Sequence, residues 1–269
     1  MKLDITALVI AFLSIASLAN AAETSYHYAV YGGGFHVVDA SLTLKESVES
    51  YDSTITAGTQ GFLSRVAPWS SVMVSKGQQK QDAWQPTFFE NTTKWRDDAK
   101  TTILKYNNRG QIINRVVREQ GREDDTHPAD PKLAQDATDL PTGIMGFLRH
   151  RNLKEGCEGS FPVYDGKRRF QVKLASQENN VIESNRYTSY EGDVISCSIE
   201  VIQDGGKWAK ENRGWFRIQE DSRATGELPR VFMTELNDQE WLVPVRLELS
   251  SPYGNFVMHL TRALTHTGS

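Results

Sequence analysis

The sequence predicts a mainly β chain with one substantial helix. Three observations carry that expectation. Apolar and polar residues alternate with a period of two through most of the chain after residue 25, the pattern of strands that bury one face. Turn signals such as Asn107-Asn108-Arg109-Gly110 and Asp165-Gly166 separate those runs, as hairpins do. One stretch alone, near 139–151, changes to helical spacing.

In chain order, Tyr26, Tyr28 and Val30 alternate with His27, Ala29 and Tyr31, and Gly32-Gly33-Gly34 interrupts them. Val38, Ala40, Leu42 and Leu44 then keep the period of two. This reads either as a strand pair or as one bent strand with a glycine bulge. Tyr51 to Ala57 continues the meander, and Trp84 to Trp95 reads as a strand. Thr102 to Tyr106 and Gln111 to Val117 flank the Asn-Asn-Arg-Gly turn. The polar run Glu123 to Pro131 reads as an exposed loop, and residues 133–138 as a short turn.

The helix follows. Asp139 is placed to cap it, and Pro141 is tolerated in its first turn. Leu140, Ile144, Phe147 and Leu148 share one face, and Arg149, His150 and Arg151 put positive charge at its C-terminal end, where the helix dipole favours it. Beyond it, Phe161 and Val163 lead into the Asp165-Gly166 turn. Phe170, Val172 and Leu174 face one side of the return strand, Arg169, Gln171 and Lys173 the other. Ile195, Cys197, Ile199 and Val201 form the apolar face of another strand. Arg230–Leu236 and Trp241–Leu249 flank Asn237-Asp238-Gln239, and Asn255–Ala263 is the last strand. Pro244 inside its strand implies a sheet edge or a bulge.

The N-terminus sets the expected compartment. Lys2, an apolar stretch from Ile5 to Leu18, and Ala19-Asn20-Ala21 have the layout of a cleavable signal peptide over 1–21. The apolar stretch is short for a membrane span. The mature chain is expected to begin at Ala22, to be exported and soluble, and to form a single β-rich domain over 22–269. A hydrophobic content of 39% supports a core, and a net charge of −4 argues against a nucleic-acid partner. The chain has two cysteines, Cys157 and Cys197, which in an exported protein read as one disulfide rather than two free thiols. Neither sits in a Cys-x-x-Cys or paired-His spacing, so no metal site is expected.

Four segments then align with a known pattern. They are Tyr26-x-Tyr28-x-Val30 with Gly32-Gly33-Gly34-Phe35, Asp139 to Met145, Phe161-Pro162-Val163-Tyr164-Asp165-Gly166-Lys167-Arg168-Arg169-Phe170, and Leu242-Val243-Pro244-Val245-Arg246-Leu247. In this order and spacing they resemble domain of unknown function 3108, a family of exported Gram-negative envelope proteins. Cys197 falls where that family tends to carry a second cysteine. The chain departs from it at Leu140-Pro141, where the family order is Pro-Leu, and at Lys167, where arginine is commoner. The resemblance implies a long curved antiparallel sheet forming a spiral or partial barrel around one central helix. It implies no catalytic residues.

Candidate chemistry is sparse. The six histidines, His27, His36, His127, His150, His259 and His266, lie in no diagnostic motif, and neither Gly-x-Ser-x-Gly nor His-Glu-x-x-His occurs. Gly32-Gly33-Gly34 lacks the helix and lysine of a phosphate cradle. Lys167-Arg168-Arg169 is the candidate binding run, for anionic lipid, lipopolysaccharide or peptidoglycan. Its plain alternative is a charged strand end that discourages edge pairing. The six tryptophans either line a concave apolar cavity or fill the core around the helix. With the resemblance, the expected function is a non-catalytic periplasmic envelope factor, free of cofactor and metal. It would bind a lipid-like ligand in its curved sheet or an envelope protein partner on its surface. The alternative is a hydrolase acting on envelope glycan or ester.

Overall fold

The computed structural model describes residues 22–80, 83–124, 130–208, 214–236, 241–250 and 254–267. The expected signal peptide, His127 and the expected turn at 237–239 lie outside them, as does most of the expected loop between Glu123 and Pro131.

The chain opens as a meander: β1 (Ala22–Gly32), β2 (Phe35–Glu46), β3 (Ser50–Thr59), the short α1 (Leu63–Val66), β4 (Trp69–Lys80), β5 (Ala83–Trp95), β6 (Asp98–Tyr106), β7 (Ile112–Glu119) and β8 (Arg122–Asp124). Two helices follow, α2 (Pro131–Ala134) and α3 (Leu140–Arg149). Then come β9 (Gly159–Tyr164), β10 (Arg168–Ile182), β11 (Gly192–Gly206), α4 (Trp215–Ala224), β12 (Arg230–Glu235), β13 (Leu242–Leu249) and β14 (Phe256–Thr267). All 14 strands join one antiparallel sheet in the order β8-β7-β6-β5-β4-β3-β2-β1-β14-β13-β12-β11-β10-β9. Two meanders therefore meet where the first strand pairs with the last.

The glycine run resolves as a strand pair. Gly32 pairs with Phe35, leaving Gly33 and Gly34 as a two-residue loop with φ of 57° and 83°. Positive φ at both positions is what a tight hairpin between twisted strands needs, and glycine supplies it without strain. Pro244 resolves as a bulge. β13 lies between β12 and β14, and its register slips so that Phe232 faces Arg246 while Met233 faces Pro244.

The sheet is long enough to roll until its ends approach, yet among the described residues no strand pair closes it. The seam is made by side chains. Arg115 of β7 donates through Nε to the carbonyl of Gly166 in the β9–β10 turn, and Lys167 pairs with Glu119 at 3.1 Å. The outer edge of β9 is covered by Thr138, which takes a hydrogen bond from the Tyr164 amide at 2.9 Å and gives one to Pro162 at 3.2 Å.

α3 occupies the inside of the roll and touches β3, β4, β5, β9 and β13. Asp139 caps it, accepting from the Thr142 amide at 2.9 Å. Cys157, just beyond it, is joined to Cys197 of β11 with Cα atoms 6.3 Å apart. α4, of the same length as α3, is a further helix that the sequence pattern does not mark. The stretch from 207 to 229 is mostly polar, and Gly214 at the N-cap offers no capping side chain. α4 holds by tertiary contacts instead. Gln219 accepts from the Val201 amide at 2.6 Å and donates to the Val201 carbonyl at 3.1 Å, in effect pairing with β11 as a strand would.

Candidate functional site

Alternation along the C-terminal strands decides what the inside of the roll contains. Phe161 of β9, Phe170, Val172 and Leu174 of β10, and Ile199 and Val201 of β11 all turn inward. Val231 and Met233 of β12, Leu247 of β13 and Met258 of β14 continue this wall. Leu140, Ile144, Phe147 and Leu148 of α3 close one side, and Trp215 and Phe216 of α4 another. Between them lies a cavity of about 630 Å³, within the range of small-molecule sites. The apolar face of α3 that the sequence marks is thus the one turned to the cavity. Pro141, Thr142, Gly143 and Met145 are buried in the fold.

Arg168 is the one charged side chain in that wall among the described residues. Its Nε bonds Asp165 Oδ2 at 2.7 Å, and its guanidinium lies 5.0 Å from the centre of the Trp208 ring. It also borders a second, polar hollow of about 480 Å³, whose walls include Lys100, Glu119, Asp165 and Lys167. The candidate run is therefore split. Lys167 and Arg168 reach this hollow, whereas Arg169 bonds Asp204 at 2.7 Å and the carbonyls of Leu133 and Gln135. Lys100 was missed by the sequence reading. The available signal was its inward phase in β6, shared with Thr102 and Leu104.

A buried polar network lies under the N-terminus of α3. The Tyr51 hydroxyl is 2.7 Å from Thr142 Oγ1, and Ser75 Oγ is 2.9 Å from the same atom. Tyr106 donates to Asp139 Oδ2 at 3.5 Å. Burial pushes the Asp139 carboxyl up to about 6, against the lowering effect of the Thr142 amide. Burial likewise raises the Tyr51 and Tyr106 hydroxyls. Asp139 and Ser75 have no exposed surface, so this network anchors a helix and offers no opening to substrate.

The described histidines do not converge on the cavity. His36 pairs with Asp39 at 2.7 Å on the surface. His259 stacks on Tyr187, with ring centres 6.0 Å apart, and burial lowers its affinity for a proton. The tryptophans divide between the two expected roles. Trp241 packs edge-on to Tyr26 and Trp84 stacks on Tyr51 in the core, while Trp215 lines the cavity. Among the described residues no helix is long and apolar enough to cross a membrane.

Fold and site together define an unclosed, barrel-like β roll with an internal apolar cavity beside a central helix. The chain belongs to the family described as "Protein of unknown function (DUF3108)", whose model matches residues 26–261. Among solved structures it is similar to a beta-barrel-like protein of domain of unknown function DUF1849 from Brucella abortus, with 10% sequence identity and a TM-score of 0.46. That similarity covers 92% of this chain and 98% of the other. No curated protein matches the chain.

Proposed function

We propose that this chain is a non-catalytic periplasmic factor of the cell envelope that carries a lipid-like ligand inside its rolled sheet. The observation that carries the reading is the cavity of about 630 Å³. Its apolar wall is built from two helices and six strands. An apolar hollow of this size gains free energy by taking up apolar surface from water. Among the described residues its wall is aliphatic and aromatic apart from Arg168, which suits an apolar ligand better than hydrolytic chemistry. The export reading rests on the Lys2–Ala21 leader pattern.

The test is native purification from the envelope fraction, N-terminal sequencing and mass spectrometry of extracted lipid. The expected result is a mature chain starting at Ala22 with a co-purifying lipid. Ile144→Trp, which fills the cavity from α3, should fold but lose that lipid. A wild-type protein that is repeatedly empty would overturn the ligand reading. Recovery in the cytoplasm with residues 1–21 intact would overturn the export reading.

A further inference from the structure

The apolar cavity and the polar hollow share Arg168 as a common wall. We propose that the ligand is an anionic amphiphile, with its hydrocarbon chain in the cavity and its acidic head in the polar hollow, between Arg168 and Lys100. This inference rests on the reading of the cavity as a ligand site.

The charges around the hollow carry the argument. Three cations border it: Lys100, Lys167 and Arg168. Lys167 is held by Glu119 and Arg168 by Asp165. The remaining acid, Asp98, is exposed at the rim. No ion pair joins the Lys100 ammonium to Glu119 or Asp165, which act on it through space while they pair with Lys167 and Arg168. It is half-buried on the inward face of β6. Burial, with Lys167 and Arg168 beside it and against the opposing effect of Glu119 and Asp165, makes its ammonium easier to deprotonate than an ordinary lysine. A partly desolvated cation whose neighbouring acids are already paired with other cations gains from a further anion. Arg168 suits the head-group role because Asp165 uses its Nε and one terminal nitrogen, while guanidinium has five N–H donors in all. Its stacking on Trp208 and its pairing fix its plane in the wall that the cavity shares with the polar hollow, where an oriented donor set favours a carboxylate or phosphate.

Lys167 and Arg168 lie in the candidate binding run of the sequence. Lys100 lies 67 positions before Lys167 and joins them only because the two ends of the sheet meet.

The experiment uses the full mature chain after lipid extraction, with the uncharged dye phenylnaphthylamine as reporter of the cavity. Laurate, dodecyl phosphate and uncharged methyl laurate then compete for it. The expected result is that laurate, dodecyl phosphate or both displace the dye at about tenfold lower concentration than methyl laurate, the scale of one charge-assisted hydrogen bond. Comparing laurate with dodecyl phosphate distinguishes a carboxylate head from a phosphate head. Lys100→Gln should remove most of this preference and leave dye and methyl laurate binding unchanged, with no loss of thermal stability. Equal competition by methyl laurate, or a preference that survives in both Lys100→Gln and Arg168→Gln, would overturn the anionic-head inference and leave the cavity reading standing. Failure of the dye and of every competitor to bind would overturn both.

Discussion

Asp139 is both the cap of α3 and a fully buried carboxyl, and the two roles pull in opposite directions. The Thr142 amide favours its ionised form, and burial favours its neutral form more strongly. Its folded value of about 6 lies above its ordinary 3.8, so the native state holds the proton more tightly than the unfolded chain. The resulting stabilisation is complete below about pH 4 and is lost as pH rises through about 6. A shift of this size corresponds to about 3 kcal/mol. Thermal melts of the wild type should therefore weaken between pH 4 and 6. In Asp139→Asn, which keeps a capping oxygen, that slope should vanish; an unchanged slope would assign the titration to another group. The cap itself was legible in the sequence, because Asp139 and Pro141 act on their own turn. The partners of the network were not, since Tyr51 is 91 residues from Thr142.

Among elements, α3 and the cysteine bridge behave as one unit. Cys157 leaves the helix exit and Cys197 sits on β11, so the bond fixes the cavity's helical wall to its sheet. Closing a loop with a sequence separation of 40 residues stabilises the fold by about 4 kcal/mol in the chain-entropy model. Cys157→Ser and Cys197→Ser should each lose a similar amount in urea unfolding, and the double variant should be little worse than either. Additive losses would mean that the sulfurs act separately. The helix was legible because its apolar spacing is strong. α4 was not, because its stability comes from Gln219 bonding the backbone of Val201, a contact that leaves no periodic trace.

At the scale of the whole molecule, the roll depends on a seam without a strand pair. Arg115 is buried and donates to Gly166 across it, and the Tyr164 hydroxyl donates to the same carbonyl at 2.9 Å. Arg115→Met keeps the bulk and removes the charged donor. It should cost about 2 kcal/mol. Hydrogen exchange should rise in β9, β10 and β7 while β1 to β3 stay protected, because their ladders do not depend on the seam. Uniform exchange across the sheet would show that the seam contributes nothing local.

The sequence by itself determined the local terms: which residues alternate, where Gly33-Gly34 and Asp165-Gly166 turn the chain, and which face of α3 is apolar. These follow from backbone sterics and from the period of side-chain direction, and both act within a few residues. Tertiary structure alone decided that the apolar face of α3 borders a hollow instead of filling a core. It also decided that Pro244 marks a bulge within the sheet, and that Lys100 lies near Lys167 and Arg168. Those outcomes depend on how far a twisted sheet of 14 strands curls before its ends meet. The curl is a sum over every strand pair, and no single stretch of sequence contains it.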